Sequence, residues 1–211
     1  MIDVSNNNGH VNWEKVASAG HRIAAIKASE GSNRFRGTFY DDAFFRYNMT
    51  AAKNNGILPC PYFFARPGTS AESQARHFLT ICHTYIHKDA GKLLLDIEDS
   101  AHLSDAQLIE WVTDFTGILQ SVIHSLTPIY SYSAFLPKFG HVFTKHPLWV
   151  ADYDGKPREI PPSGDWPKKM IYAKQFTDKG SCPGIQGNVD LSHRFATLGS
   201  FKIGRRITWT L

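Results

Sequence analysis

The stretch Leu93-Leu94-Leu95-Asp96-Ile97-Glu98-Asp99 decides the fold of this chain. Three consecutive leucines predict a buried strand, and acidic residues follow where that strand ends. Residues two apart on a strand face the same side, so Asp96 and Glu98 are expected on one face with their β-carbons roughly 6–7 Å apart. A buried strand that ends in acids is typical of barrels built from β/α units, whose chemistry takes place at the carboxyl ends of the strands.

The segments around this stretch alternate between strand and helix. Apolar runs predict the strands, and apolar residues three to four apart predict the helices. Ser104 and Gln107 form a capping box at the start of one helix. The predicted strands are 2–5, 22–28, 57–65, 92–97 and 127–132, and the predicted helices are 13–19, 41–54, 70–87, 104–125 and a short piece at 134–139. Five alternations in succession favour parallel β/α units.

The last third of the chain has strands but no helical pattern. Strands are predicted at 148–151, 170–176 and 188–191, and the segments between them are rich in Pro, Gly and Asp. Five β/α units and three bare strands make eight strands, which is enough to close a barrel. The predicted fold is therefore α/β, a single parallel-rich barrel of TIM type, (β/α)5(β)3. A full (β/α)8 barrel needs about 250 residues. This chain has 211, and shortened connections between its last strands account for the difference.

Two further acids are expected at the same mouth of the barrel. Asp3 lies near the end of the first predicted strand and Asp190 near the end of the eighth, and closure of the barrel makes these strands neighbours. Either residue alone would suit the capping of a turn, but four acids at strand ends favour a functional site. Acids this close repel one another, so at least one carboxyl pKa should rise. A raised carboxyl pKa suits the general acid of glycoside cleavage, and a second acid can stabilise positive charge on the sugar.

Aromatic side chains accumulate where the predicted strands end. Flat, stiff rings suit the C–H faces of sugars at low entropic cost, although some of these rings are expected to fill the barrel interior instead. The candidate substrate-binding aromatics are Tyr62, Phe64, Tyr130, Tyr132, Trp149 and Tyr153.

Composition excludes several other classes of function. The chain is 42% hydrophobic and 20% charged with a net charge of +4, and one domain is expected: a barrel at 1–196 and a closing segment or linker at 197–211. No apolar run approaches the roughly 20 residues needed to cross a bilayer, so no membrane insertion is expected. Scattered basic residues argue against nucleic acid as a partner. Three distant cysteines and the histidine spacing predict no metal site, and no cofactor is expected.

Seven segments in chain order form a distinctive set that runs from residue 2 to about residue 195. They are Ile2-Asp3-Val4-Ser5, Ile26-Lys27-Ala28-Ser29-Glu30-Gly31, Tyr62-Phe63-Phe64, Leu95-Asp96-Ile97-Glu98, Pro128-Ile129-Tyr130-Ser131-Tyr132, Leu148-Trp149-Val150-Ala151 and Val189-Asp190-Leu191. The set resembles the glycoside hydrolase family 25 lysozymes, also called Chalaropsis-type muramidases. The two acids of the fourth segment alone would be a weak signal, but the ordered set is specific.

The resemblance implies a (β/α)5(β)3 barrel that hydrolyses the β-1,4 bond between N-acetylmuramic acid and N-acetylglucosamine. It implies that Glu98 is the general acid/base and that Asp96 orients the 2-acetamido group of the substrate or stabilises the cationic sugar. Asp3 and Asp190 would complete the acidic cluster. The resemblance leaves open whether the enzyme supplies a nucleophile or the acetamido oxygen of the substrate serves instead. The expected substrate-binding residues are the six aromatics above together with Lys27 and Glu30.

The expected partner is the glycan strand of bacterial peptidoglycan, and the protein is expected to act as a monomer at the bacterial cell wall. A modest positive charge suits such a polyanionic target. Residues 1–5 lack the basic and apolar regions of a signal peptide. A phage endolysin, held in the host cytoplasm until the membrane is permeabilised, or an excised catalytic domain would fit, and a secreted protein would need another export route.

Three alternatives stay open at this point. A chitinase-like barrel hydrolase would carry an acid two residues before Asp96, where this chain has Leu94. A sugar-binding barrel without catalysis would have no need of four intact acids. A purely structural ionic cluster would be costly, because Lys27 is the one evident cation near it.

Overall fold

The computed structural model of the protein describes residues 1–31, 38–86 and 92–196, and within these residues nine strands form one sheet. Eight of the strands close into a barrel, because the first strand pairs with both the second and the last. The two-residue strand β3 extends the sheet outside the ring, antiparallel to β2. The strands are β1 (Ile2–Val4), β2 (Ile23–Glu30), β3 (Tyr40–Asp41), β4 (Leu58–Phe64), β5 (Leu94–Asp96), β6 (Ile129–Tyr132), β7 (Leu148–Ala151), β8 (Ile171–Gly180) and β9 (Val189–Arg194).

Helices follow the first strands of the barrel in turn. Their buried residues pack with those of the strands in one large outer core. The α-helices of the described ranges are α1 (Trp13–Ser18), α2 (Phe45–Asn54), α3 (Ala71–Cys82) and α4 (Asp105–Ile123), and short 3-10 segments lie at Asn6–Asn8, Leu136–Phe139 and Lys168–Met170. A helical segment thus follows each of β1, β2, β4, β5 and β6, and the predicted (β/α)5(β)3 barrel is confirmed. The predicted capping box of Ser104 and Gln107 is present at the start of α4.

The last strand runs opposite to its neighbours. β9 is antiparallel to both β8 and β1, whereas the other neighbouring pairs of the ring are parallel. The connection 181–188 is short enough for a hairpin and too short for the crossover that a parallel pair needs. The expectation that Asp190 lies near the end of its strand is therefore wrong, since it lies near the start. The reversed direction still brings Asp190 to the mouth of the barrel, where it is the register partner of Asp3.

Several other predicted boundaries differ from the structure, and the following differences have a clear cause or limit. Asp41 pairs with β2 as part of β3, so the helix predicted from residue 41 begins at Phe45. β8 continues to Gly180 rather than ending at 176, because β9 supplies a pairing partner as far as Val189. α3 ends at Cys82, and the predicted end of that helix at 87 lies outside the described residues, as does the predicted closing segment 197–211.

The two faces of the barrel wall bury different cores. Phe63 projects to the outer core, where its ring centroid lies 5.4 Å from that of Phe78 and 5.5 Å from that of Phe115. Leu94, Tyr130 and Trp149 belong to a second, smaller core inside the barrel. The alternation of side chains along each strand produces this division, so the residues that follow the inner core along a strand must line the mouth.

Within the described residues, no helix is long and apolar enough to cross a membrane. The same part of the chain contains no group of three or more His, Cys, Asp or Glu residues arranged to hold a metal ion.

Phe63→Ala is expected to lower the free energy of unfolding by about 3–5 kcal/mol, because the ring is fully buried and its removal leaves a cavity against two aromatic neighbours. Val142→Ala is the matched control, since Val142 is 48% exposed and should change stability little. Urea unfolding of the two variants compares them directly. Equal losses in both would contradict the placement of Phe63 in the outer core.

Candidate active site

The mouth of the barrel contains a cavity of about 190 Å³ in which all four predicted acids meet. The acids come from three different strands or strand ends, so only closure of the barrel brings them together. Its lining residues are Asp3, Ser5, Asn7, Lys27, Tyr62, Phe64, Asp96, Glu98, Tyr130, Trp149, Gln175 and Asp190. Among them Lys27 is the only Lys or Arg, so the lining residues carry more potential negative than positive charge.

Asp96 and Glu98 face the cavity together, as their spacing on the chain predicts. Asp96 is almost fully buried, and within the described residues its Oδ1 atom has no hydrogen-bond partner. Burial raises the pKa of Asp96 well above its ordinary value, and the nearby carboxyl groups of Glu98 and Asp3 raise it further. Glu98 is less buried, and burial raises its pKa too. The two carboxyl groups are near enough to share a proton.

Asp3 and Asp190 form a second pair on the antiparallel strands β1 and β9. Burial raises the pKa of Asp3 well above its ordinary value, and the adjacent Asp190 raises it further. Burial also raises the pKa of Asp190. Gln175 Nε2 donates a hydrogen bond of 3.2 Å to Asp3 Oδ2, which is one fixed donor for this pair.

Gln175 connects the acids to two tyrosines. Its Oε1 atom accepts hydrogen bonds from the hydroxyl groups of Tyr130, at 2.8 Å, and Tyr153, at 2.5 Å. Burial raises the pKa of both tyrosines, and neighbouring acids raise it further, so both hydroxyl groups stay protonated and can donate. The chain of bonds from Tyr153 through Gln175 to Asp3 fixes the orientation of the Gln175 amide.

Two cationic side chains, Lys27 and Arg66, lie at one side of the site, where both pair with Glu30. Glu30 accepts hydrogen bonds from Lys27 Nζ at 2.7 Å and from Arg66 Nε at 2.8 Å. Burial by itself would raise the pKa of Glu30, but the hydrogen bonds from Lys27 and Arg66 lower it. Both cations also lie over the ring of Phe64, with Lys27 Nζ 5.0 Å from its centroid and Arg66 Cζ 4.6 Å.

A second cavity, of about 420 Å³, adjoins the first. Glu98 and Tyr130 line both cavities, so the two form one cleft that passes Glu98. The remaining lining residues of the second cavity are Tyr132, Ser133, Ala134, Ala151, Asp152 and Tyr153. Tyr132 is 38% exposed and Tyr153 is 51% exposed, so both rings are available for contact with a ligand.

Eleven of the twelve residues predicted for the site line one or both cavities. Glu30 is the exception: it lines neither cavity, and its carboxylate is paired with Lys27 and Arg66. Trp149 contributes mainly to the floor: it is 3% exposed, and its indole N–H donates to Ser192 Oγ at 3.0 Å.

Sequence reasoning missed Gln175, which holds Asp3 and both tyrosine hydroxyl groups. Gln175 could have been predicted from its position. It lies two residues after the buried Ala173 on a predicted strand, which places it on the inward face near the strand end. Asp152 was missed as well, although it precedes Tyr153 directly.

The arrangement suits proton transfer to and from a bound sugar. A partly exposed carboxyl group with a raised pKa keeps its proton to a higher pH than a free carboxyl group does, and it can also exchange that proton with water. Deeply buried neighbouring carboxyl groups can accept hydrogen bonds from a substrate amide or hydroxyl group, or can ionise opposite a developing positive charge.

Comparison with known proteins agrees with this geometry. The family described as "Glycosyl hydrolases family 25" matches residues 2–185. Lysozyme M1 of Streptomyces globisporus is 33% identical over 202 residues, which is 90% of this chain and 65% of that protein. The N,O-diacetylmuramidase of Chalaropsis sp is 29% identical over 93% of this chain and 98% of its own length. The crystal structure of the bacterial lysozyme from Streptomyces coelicolor superposes with a TM-score of 0.78 at 28% identity, over 95% of this chain and 93% of that one.

Asp96→Asn is expected to gain stability relative to wild type as the pH rises above about 4, the ordinary pKa of an unfolded aspartate. Burial and the adjacent acids raise the pKa of folded Asp96 above its unfolded value, so wild type loses stability as this carboxyl group ionises with rising pH. The amide variant does not undergo that loss. Each unit of pKa difference corresponds to about 1.4 kcal/mol.

Urea unfolding at several pH values measures this difference. Asp114→Asn, at an exposed position of α4, is the matched control and should show no comparable gain with pH. A variant at position 96 that loses stability relative to wild type as the pH rises would contradict the assigned direction of the pKa.

Proposed function

Since this chain belongs to the glycosyl hydrolases family 25, we propose that it is a muramidase that hydrolyses the β-1,4 bond between N-acetylmuramic acid and N-acetylglucosamine in bacterial peptidoglycan. The chain spans 65% of the length of Lysozyme M1, and the proposal concerns the activity of the barrel itself. The observation that carries the proposal is the position of Glu98, which lines both cavities of the cleft. A glycan strand lying through both cavities would pass this carboxyl group with sugar rings on either side.

Glu98 is the general acid/base of the proposed reaction. Asp96 has the more strongly raised pKa, but its carboxyl group is almost fully buried, whereas Glu98 is open to both cavities. A general acid must reach the leaving oxygen of the substrate and must be reprotonated, so access decides between the two acids. The proton that Glu98 delivers to the leaving oxygen is recovered from the water that attacks the sugar.

Asp96 has a supporting role in the proposed reaction. Its Oδ1 atom has no donor within the described residues, so it can accept a hydrogen bond from the 2-acetamido N–H group of the substrate. In its ionised form it would also oppose the positive charge that develops on the sugar. Asp3 and Asp190 extend the negative potential across the mouth, and Gln175 holds Asp3 in place.

The glycan strand is held by the aromatic lining of the cleft. Tyr62, Phe64, Tyr130 and Trp149 line the smaller cavity, and Tyr132 and Tyr153 line the larger one together with Tyr130. Lys27 offers a cation at the edge of the acidic group. Glu30 holds Lys27 and Arg66 in position through its ion pairs with both.

The proposed site of action is the bacterial cell wall, where the protein works as a monomer. Residues of a single chain form the whole cleft, so no second copy is needed to complete it. The net charge of +4 favours approach to an anionic wall.

Glu98→Gln is expected to reduce the rate of glycan cleavage by about 100-fold or more, because the amide cannot donate the catalytic proton although its volume is almost unchanged. Asp3→Asn and Asp190→Asn should cost less, since neither residue carries the transferred proton. The measurement is digestion of purified peptidoglycan, reduction of the new ends, and mass spectrometry of the fragments. Treatment with a chelator should leave the rate unchanged.

Reduced N-acetylmuramic acid at the new ends, lost in the Glu98→Gln variant, is the expected result. Reduced N-acetylglucosamine would mean that the site is catalytic but cleaves the other bond of the strand. Full activity in the Glu98→Gln variant would contradict the role of Glu98 as general acid/base. A protein that sediments with peptidoglycan and releases no fragments would be a sugar-binding barrel without catalysis.

A further inference from the structure

The connection between β7 and β8 packs against the unusual feature of this barrel, a fully buried lysine. Residues 152–167, all of which the structure describes, form neither strand nor helix. They follow β7 directly and include Asp152 and Tyr153 of the cleft wall. Lys174, on β8, is 0% exposed and contacts this connection.

The ammonium group of Lys174 has three oxygen partners in the connection. Lys174 Nζ lies 2.5 Å from Asp154 Oδ1 and 3.7 Å from Asp152 Oδ2, and it donates to the carbonyl oxygen of Lys156 at 3.1 Å. Asp154 and Lys156 accept two of the three ammonium N–H groups as hydrogen bonds, and Asp152 adds a longer charge contact. The hydrogen bond from Lys174 also lowers the pKa of Asp154.

Tyr153 lies between the two aspartates and is held from the opposite face of the same strand. Gln175 follows Lys174 directly, and consecutive residues of a strand point to opposite faces. The Tyr153 hydroxyl donates to Gln175 Oε1, and the Asp152 backbone N–H donates to the Gln175 carbonyl oxygen at 3.0 Å. Residues 152–154 are therefore held alternately by Lys174 and by Gln175.

We propose that Lys174 is a positioning residue that holds Tyr153 in the wall of the glycan cleft through its ion pairs with Asp152 and Asp154. The inference rests on the proposed function, since it assigns a role in substrate binding to the ring of Tyr153. A ring that is 51% exposed receives little packing from its surroundings, so its orientation depends on the bond at its tip and on the backbone at its two ends. Lys174 fixes both ends.

A role of Lys174 in packing alone would not need a charge. Burying an ammonium group is costly unless it is paired and fully hydrogen-bonded, and a methionine would fill most of the same volume. The side chains of Asp152 and Asp154 are 20% and 33% exposed, so water can reach them once the lysine is gone. Lys174→Met should therefore fold while it releases the connection.

The test compares Lys174→Met with Lys138→Met, which breaks an exposed Lys–Asp pair with Asp105 at 3.2 Å. Hydrogen exchange of the 152–157 backbone, followed by mass spectrometry, reports the order of the connection without any need for activity. Steady-state kinetics on soluble glycan strands of peptidoglycan reports whether the connection contributes to substrate binding. Lys174→Met is expected to speed exchange in this segment at least about tenfold. It is also expected to raise KM about 3- to 10-fold with little change in kcat, because a binding contact is lost and the chemistry is not.

Two further variants show whether Lys174 acts through Tyr153. Asp154→Asn weakens the same ion pair from the more exposed side, and it should raise exchange and KM in the same direction even if Lys174→Met fails to fold. Tyr153→Ala should raise KM by a similar factor, and adding Lys174→Met to it should raise KM no further. Additive effects in the double variant would overturn the inference.

Unchanged exchange and unchanged KM in both Lys174→Met and Asp154→Asn would also overturn it, as would an equal effect in Lys138→Met. A fall in kcat at constant KM would assign Lys174 to the chemistry instead of to Tyr153. Failure of the proposed function gives a different result, because wild-type protein would then release no fragments while the exchange experiment still decides whether Lys174 orders residues 152–157.

Discussion

The structure depends on one electrostatic constraint, which is the concentration of four carboxyl groups in the mouth of a barrel with Lys27 as the one Lys or Arg among the described lining residues. Burial raises the pKa of Asp3, Asp96, Glu98 and Asp190 alike, so the folded state disfavours full ionisation of the group. Such a cluster persists only where the surrounding fold holds each of its members in place. Barrel closure meets that condition, because each acid is attached to a strand held on both sides.

The acids form two pairs of different origin. Asp96 and Glu98 come from one stretch of chain and face the same side because they are two residues apart. Asp3 and Asp190 come from opposite ends of the chain and meet because β1 and β9 are register partners at these positions. Each pair joins one buried acid, Asp96 or Asp3, to one partly exposed acid. The second pair is tied to Gln175 and the two tyrosines. The pairs therefore differ in their hydrogen-bonded neighbours as well as in position.

The wall of the barrel is built in two ways. Helical segments follow β1, β2, β4, β5 and β6, and their apolar faces bury the outer side of the sheet. The connection from β7 to β8 instead runs as irregular chain over residues 152–167, and there a buried lysine with three oxygen partners contacts it. A hydrogen-bonded ion pair is directional, whereas an apolar contact is not. It can therefore fix the residues on either side of Tyr153. Asp152 and Tyr153 of this connection form part of the wall of the larger cavity.

Local patterns in the sequence were enough to predict most of the strands and the first pair of acids. The apolar run at Leu93–Leu95 and its acids required only the two-residue period of a strand. The direction of β9 could not be predicted in the same way, because a strand pattern is identical when read from either end. The extension of β8 to Gly180 depends on the partner that β9 provides, and the strand β3 depends on β2, so both are set by pairing between distant segments.

The sequence by itself determined the class of barrel, the number of its strands and the types of side chain at its mouth, because alternation and turn residues are properties of neighbouring positions. Only the tertiary structure decided which acid lines both cavities, that Gln175 joins Asp3 to two tyrosines, that Glu30 is not among the lining residues, and that Lys174 is buried against the connection beside Tyr153. These features depend on burial and on hydrogen bonds between residues as far apart as 3 and 175. Such contacts exist only once the barrel has closed, so no local pattern records them.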